Sequence, residues 1–214
     1  MKQRSQRRNQ QDLHLPGQAN EHVFPHLTFA PKWFISLGPA NATEFLEARD
    51  WWPGIKLLGL EPSRAGFSEA SSRWPKDGIL LQAAAWESDG ELTLHKSDDL
   101  LHGTCFADWN AAFAQDASGD YVDCPKVVAR SLDSLDLEYG PFRDAILWAD
   151  VEGAERSVLR GAKGLLVRKA IGAINLEVRP HYADELAEFL SGFGFHKVRE
   201  YFACETYRDE VWHL

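Results

Sequence analysis

The sequence predicts an α/β domain: a mostly parallel sheet with helices on both faces and an antiparallel hairpin at its C-terminal end. Two observations carry most of this. Short apolar runs alternate with segments of helical spacing from Trp33 to Phe193, the pattern of strands joined by crossover helices. The stretches His196 to Ala203 and Glu205 to His213 then alternate as two strands with no helix between them. A third observation concerns where the runs stop. One ends on Gly38 and three end on carboxylates, at Glu61, Asp150 and Glu177.

The bulk properties narrow the class. A net charge of -9 argues against a general nucleic-acid binder, which would carry a basic face. Aromatic residues make up 12%, with eight Trp, as in a folded chain rather than a disordered one. Cys105, Cys124 and Cys204 are scattered, without metal-ligand spacing, and read as thiols in a reducing compartment. No apolar run is long enough to span a membrane and no signal-peptide core is present, so the expectation is a cytoplasmic chain with no membrane partner. Residues 1–22 are polar, with Lys2, Arg4, Arg7 and Arg8, and read as a flexible basic arm; residues 23–214 form the domain. Nothing in the sequence sets the oligomeric state.

In order, Val23 to Pro31 is an apolar lead-in expected to pack outside the sheet. Lys32 to Gly38 is the first strand. Its turn runs from Gly38 to Thr43 and leads into a helix at Glu44, with Asn41 placed as N-cap and Glu44 at the reciprocal capping position. Ile55 to Glu61 is the second strand, and Pro62-Ser63 open a helix to about Trp74. Gly78 to Trp86 reads as one third strand. Asp89-Gly90 turns into a further strand, Glu91 to His95. Ser97 to Pro125 is long and mixed, suited to covering a pocket. Lys126 to Arg130 is a strand and Ser131 to Leu135 starts a short helix.

Ala145 to Ala149 is the buried central strand. It ends on Asp150, turns at Glu152-Gly153, and enters one helix with Val158, Leu159, Ala162, Leu165 and Leu166 on its apolar face. Ala173 to Val178 follows, with Arg179 to Tyr182 at its end. A helix then buries Leu186, Phe189, Leu190 and Phe193, and the hairpin closes the chain.

Parallel strands place their C-terminal ends on one rim, where open α/β sheets bind ligands. Glu61, Asp150 and Glu177 therefore collect there with Gly38. A phosphate-rich dinucleotide would need a glycine-rich turn and would be repelled by these acids, which disfavours a nicotinamide oxidoreductase. A cationic nucleoside suits them better. S-adenosylmethionine offers a ribose diol for a carboxylate to accept from, an ammonium and a sulfonium, and no phosphate.

The residues also carry a family resemblance over nearly the whole chain after Lys32. Gly38 and Asn41, Leu60-Glu61-Pro62, Asp89-Gly90-Glu91-Leu92, Gly103-Thr104, Ser131-Leu132-Asp133-Ser134-Leu135, Asp150-Val151-Glu152-Gly153-Ala154-Glu155, Leu159-Arg160-Gly161-Ala162 and Leu176-Glu177 resemble the FkbM family of S-adenosylmethionine-dependent methyltransferases. The Asp-Val-Glu-Gly-Ala-Glu block is the most specific part. The resemblance implies a three-layer, Rossmann-like class I methyltransferase fold, S-adenosylmethionine as cofactor, and O-methylation of a small hydroxylated molecule or sugar. By the same resemblance Gly38 and Asn41 lie at the methionine end of the cofactor, Glu61 holds the ribose hydroxyls, Ala85 and Trp86 flank the adenine, and Asp150 and Glu152 sit near the methyl donor or acceptor. Asp150 and His181 are the candidate bases. No metal is assigned, although Asp150 and Glu177 resemble the metal acids of catechol-type methyltransferases.

The first motif departs from the family's Asp-Val-Gly-Ala-Asn-Ile-Gly. Ser36 stands in place of the acid, Pro39 follows Gly38, and Ala42 or Thr43 stands where a second glycine is expected. A methyltransferase-fold binding or scaffolding protein without cofactor is therefore the alternative.

Overall fold

A computed structural model describes residues 23–40, 42–96, 103–104, 125–204 and 206–214. Asn41, the basic arm and nearly all of the stretch from Ser97 to Cys124 lie outside the described residues.

The main sheet has seven strands: β1 (Trp33–Leu37), β2 (Lys56–Leu60), β3 (Ile79–Leu81), β9 (Ala145–Ala149), β10 (Ile171–Val178), β11 (His196–Tyr201) and β12 (Arg208–His213). Their order is β11-β12-β10-β9-β1-β2-β3. β9 and β1 stand at the middle, and β9 is buried along its whole length. This is why its sequence is a continuous apolar run rather than an alternating one. Parallel pairing runs from β3 to β10, and β12 pairs antiparallel with both β10 and β11. The expected C-terminal hairpin is present, but it does not simply extend the edge. Its second strand slots inside, between β10 and β11, and β11 becomes the edge.

Among the described residues six helices flank the sheet: α1 (Glu44–Trp51), α2 (Arg64–Arg73), α3 (Leu132–Tyr139), α4 (Glu155–Arg160), α5 (Lys163–Val167) and α6 (Ala183–Gly192). The period-2 alternation of β1 divides the core between two faces. On one face Phe34, Leu57, Ile146 and Trp148 pack with Phe45 and Ala48 of α1, and with Val23 and Phe24 of the lead-in. On the other, Ile35, Leu37, Leu58 and Leu147 pack with Leu132 and Leu135 of α3, Val158 and Leu159 of α4, Leu165 and Leu166 of α5, and Leu186 and Leu190 of α6. Each such side chain, fully buried, contributes about 1.5–3 kcal/mol. No helix among the described residues is long and apolar enough to cross a membrane.

Three local expectations are corrected. The third strand is not continuous: Ile79–Leu81 joins the main sheet, whereas β4 (Ala84–Ala85) belongs to a separate three-stranded sheet with β8 (Lys126–Arg130) and β5 (Gly90–Thr93). A pair of short strands, β6 (His95–Lys96) and β7 (Gly103–Thr104), forms a third sheet. The helix after Asp150 is broken into α4 and α5. A Cβ on Gly161 would lie 2.0 Å from the Trp86 carbonyl oxygen, so the backbone there is pressed against the small sheet. Asp133 caps the new start, its carboxylate accepting from the amides of Gly164 (2.7 Å) and Leu165 (3.0 Å). Finally, α1 begins after Thr43, not Asn41, and without a side-chain cap bond.

Candidate active site

Strand register builds the site. Leu37 pairs with Leu60 and Ala149, and Ala149 pairs with Leu176. The next residue on each strand therefore falls in one row across the C-terminal rim: Glu61, Gly38, Asp150 and Glu177. The sheet brings together the four residues that the sequence singled out, although β10 continues through Val178, so Glu177 lies one residue before its end.

Gly38 sits at the centre of this row with φ +77°. A Cβ there would lie 2.0 Å from the Asp150 carbonyl oxygen. The glycine is required by the close approach of two strand ends, whatever binds above them. Its amide donates to the Leu60 carbonyl at 2.9 Å, and the Asp150 amide donates to Leu37 at 3.1 Å. The three central strand ends are thus stitched beyond their last paired residues.

Glu61 is buried, at 4% exposure. One carboxylate oxygen accepts from the Ser63 amide at 2.9 Å and the other from the Ala40 amide at 3.3 Å. The carboxylate is tucked under the start of α2, where a Cβ on Gly66 would meet it at 2.7 Å. Burial raises its pKa, the two amides oppose that shift, and the Asp150 charge adds to it.

The Asp150–Glu155 block is organised from its far end. Glu155 is fully buried. Its carboxylate accepts from the amides of Val151 (3.3 Å) and Gly153 (3.2 Å) and from the Tyr182 hydroxyl (2.7 Å). The turn it holds puts Glu152 at φ +53° and Gly153 at φ +96°. Glu152 then reaches Arg179, whose Nη2 lies 2.9 Å from its carboxylate and 3.3 Å from that of Glu177. Arg179 is buried, and its guanidinium bridges the ends of β9 and β10. Burial pushes Glu177 well above the usual carboxylate range, reinforced by Asp150, Glu152 and Glu155 and opposed by Arg179. Among the described residues no group of three or more His, Cys, Asp or Glu is arranged to hold a metal ion.

His181 lies in a one-turn 3-10 helix (Pro180–Tyr182) at the same rim, exposed, its ring edge-on to Tyr182 at 4.8 Å. Partial burial and the cations of Arg179 and Arg156 lower its pKa. Ala85 ends β4 of the smaller sheet, and Trp86 follows it. The Trp86 amide donates to Arg130 at 2.9 Å and its carbonyl abuts Gly161. Sequence reasoning gave no role to Glu155, Tyr182 or Arg179. Glu155 was visible as the last residue of the specific block; Arg179 carried only its position after a strand-end acid.

A doubly wound sheet with one reversed strand inside its C-terminal edge, and an acidic rim at the C-terminal ends of β1, β2, β9 and β10, defines a class I methyltransferase fold. The Methyltransferase FkbM domain model matches residues 30–208, and the chain belongs to that family. No curated protein sequence matches the chain. Solved structures that resemble it include the ribosomal protein L11 methylase from Lactobacillus delbrueckii subsp. bulgaricus, with 9% identity and a TM-score of 0.42 over 88% of this chain and 72% of that one. The human methyltransferase 10 domain containing protein shows 10% identity and a TM-score of 0.44 over 87% of this chain and 72% of that one.

Proposed function

We propose that this chain transfers a methyl group from S-adenosylmethionine to a hydroxyl oxygen of a small molecule or sugar. The observation that carries this reading is the row of Glu61, Gly38, Asp150 and Glu177 on the C-terminal rim of a chain of the FkbM family. The donor set fits the cofactor. The Glu61 carboxylate accepts from the Ser63 and Ala40 amides and from the Ser63 hydroxyl, and the oxygen held by Ala40 has a further lone pair suited to a ribose hydroxyl. The carboxylates of Asp150 and Glu152 suit an ammonium and a sulfonium, and Ala85 and Trp86 supply the apolar side for an adenine.

When bound, S-adenosylmethionine supplies an electrophilic methyl group. The residues of this chain align and deprotonate. Glu61 and the turn at Gly38 fix one partner; Asp150, Glu152 and Glu177 border the place of the other. Holding two reacting atoms in line is worth about 7–11 kcal/mol of barrier in well-oriented systems. The acceptor's hydroxyl proton passes to Asp150, or to His181, whose lowered pKa keeps it neutral and able to accept near pH 7.

Saturating S-adenosylhomocysteine is expected to raise the melting temperature, since a ligand at a hundred times its Kd stabilises by about 2.7 kcal/mol. Glu61→Ala is expected to abolish the shift. A second reading, a binding protein without cofactor, is favoured by one observation: Ser36, where the family carries an acid, is 1% exposed within β1. A flat melting temperature in saturating ligand would support that reading against the first.

A further inference from the structure

The first-strand turn lacks the second glycine and the acid of its family pattern, so its shape must be held by something else. Arg73, in the last turn of α2, reaches across to it. Nη1 donates to the Ala42 carbonyl at 2.6 Å and Nη2 to the Ala40 carbonyl at 2.8 Å. The Arg73 side chain is 24% exposed, with Glu69 at 3.8 Å from Nε and the Phe45 ring centre at 6.0 Å from its central carbon. A planar fork of this kind can span two acceptors in fixed geometry, which a lysine ammonium cannot reproduce.

What the fork holds is unusual. Ala40 has φ +25°, a region that alanine rarely adopts. Its amide donates to Glu61, 3.3 Å from the carboxylate. Bonds from a charged donor are among the stronger hydrogen bonds, and two of them outweigh one strained alanine. The chain of contacts is continuous: α2 to Arg73, Arg73 to the turn, the turn to the acid at the end of β2.

We propose that Arg73 is the positioning residue of this turn, setting the Ala40 amide on Glu61 and so fixing the carboxylate that takes the ribose hydroxyls. Its bearing on the cofactor rests on the methyltransferase reading above. Arg73 does the shaping that a glycine-rich turn does by backbone freedom alone, which accounts for a family member retaining Glu61 with an altered first motif.

The test compares Arg73→Met, Arg73→Lys and Asp133→Ala with the unaltered protein. Asp133→Ala removes two hydrogen bonds far from the turn and controls for general destabilisation. S-adenosylhomocysteine affinity is measured by calorimetry, and hydrogen exchange over residues 38–47 is measured without ligand. Arg73→Met is expected to bind at least about tenfold weaker and to exchange faster over 38–47 alone. Arg73→Lys should recover part of the affinity, and Asp133→Ala should bind as the unaltered protein does. Equal affinity in Arg73→Met overturns the positioning role, as does an equal loss in Asp133→Ala. If the unaltered protein does not bind S-adenosylhomocysteine, the cofactor reading falls and exchange alone decides the clamp. Unchanged exchange in Arg73→Met then overturns it, and faster exchange confined to 38–47 sustains it.

Discussion

Glu155 and Glu177 are both withdrawn from water at one rim, but what answers their charges differs. Glu155 accepts from two amides and a tyrosine hydroxyl. Glu177 has Arg179 at 3.3 Å and three other carboxylates around it. Burial raises the pKa of both, but the first arrangement also holds a turn, whereas the second sets like charges around one carboxylate with a single arginine against them. Tyr182→Phe leaves a buried carboxylate oxygen of Glu155 without its hydroxyl partner and is expected to lose about 1–3 kcal/mol in urea unfolding, with the strand and helix content unchanged. The Glu177 effect has a sign that pH can read. Its folded pKa lies above the ordinary 4.5, so its contribution to stability is full below that value and is lost as pH rises through the folded pKa. Glu177→Gln should therefore be more stable than the unaltered protein at pH 8, with the gap closing toward pH 4. His213 runs the other way. Burial and the nearby His196 and His26 depress its pKa below 6.5. Its contribution is intact above that value and is lost as pH falls, so His213→Gln should flatten the fall in stability below about pH 6.5.

At the scale of elements, the junctions matter more than the segments. Gly161 breaks one helical pattern into α4 and α5 because its backbone lies against Trp86, and Asp133 caps the second piece from another helix. Gly161→Ala must displace Trp86 and is expected to lose about 1–3 kcal/mol, as overpacking does. Hydrogen exchange at the Trp86 amide, bonded to Arg130, would report the displacement directly. Asp133→Ala should lose about 0.5–2 kcal/mol of cap energy, seen as an earlier urea midpoint. These junctions also mark what the sequence could not disclose. Continuous apolar runs announced β1, β2, β9 and β10, and their terminal residues announced the rim. The break at Gly161 was hidden because Ala162, Leu165 and Leu166 continue the helical period across it. The split between Leu81 and Ala84 was hidden because no proline or glycine marks it. Arg179 and Arg73 were hidden for a common reason: each reaches a segment that only tertiary folding brings near, Glu152 for the one and the Ala40 and Ala42 carbonyls for the other, and a lone arginine has no periodicity to betray it.

At the scale of the molecule, the sheet order is the part least legible in one dimension. Alternation identified the last two strands but could not say which neighbours they would choose. The structure places β12 between β10 and β11, where Glu210 is buried at 1% exposure and accepts from Lys197 (3.1 Å), Arg208 (2.7 Å) and Trp212 (3.0 Å). A chain stopped after Tyr207 would lose an interior strand rather than an edge. It is expected to show no cooperative unfolding transition in circular dichroism, whereas loss of a mere edge would leave one.

That placement also sets an order of events during synthesis. β11 leaves the ribosome before the strand that ties it to the sheet, and β10 emerges with one flank unpaired. Until β12 arrives, a row of backbone donors and acceptors beside the acidic rim is open to any extended peptide of the right register. The nascent protein therefore passes through a stage in which an unpaired strand flank lies beside the acidic rim, and a chaperone that shields the flank of β10 would cover both at once.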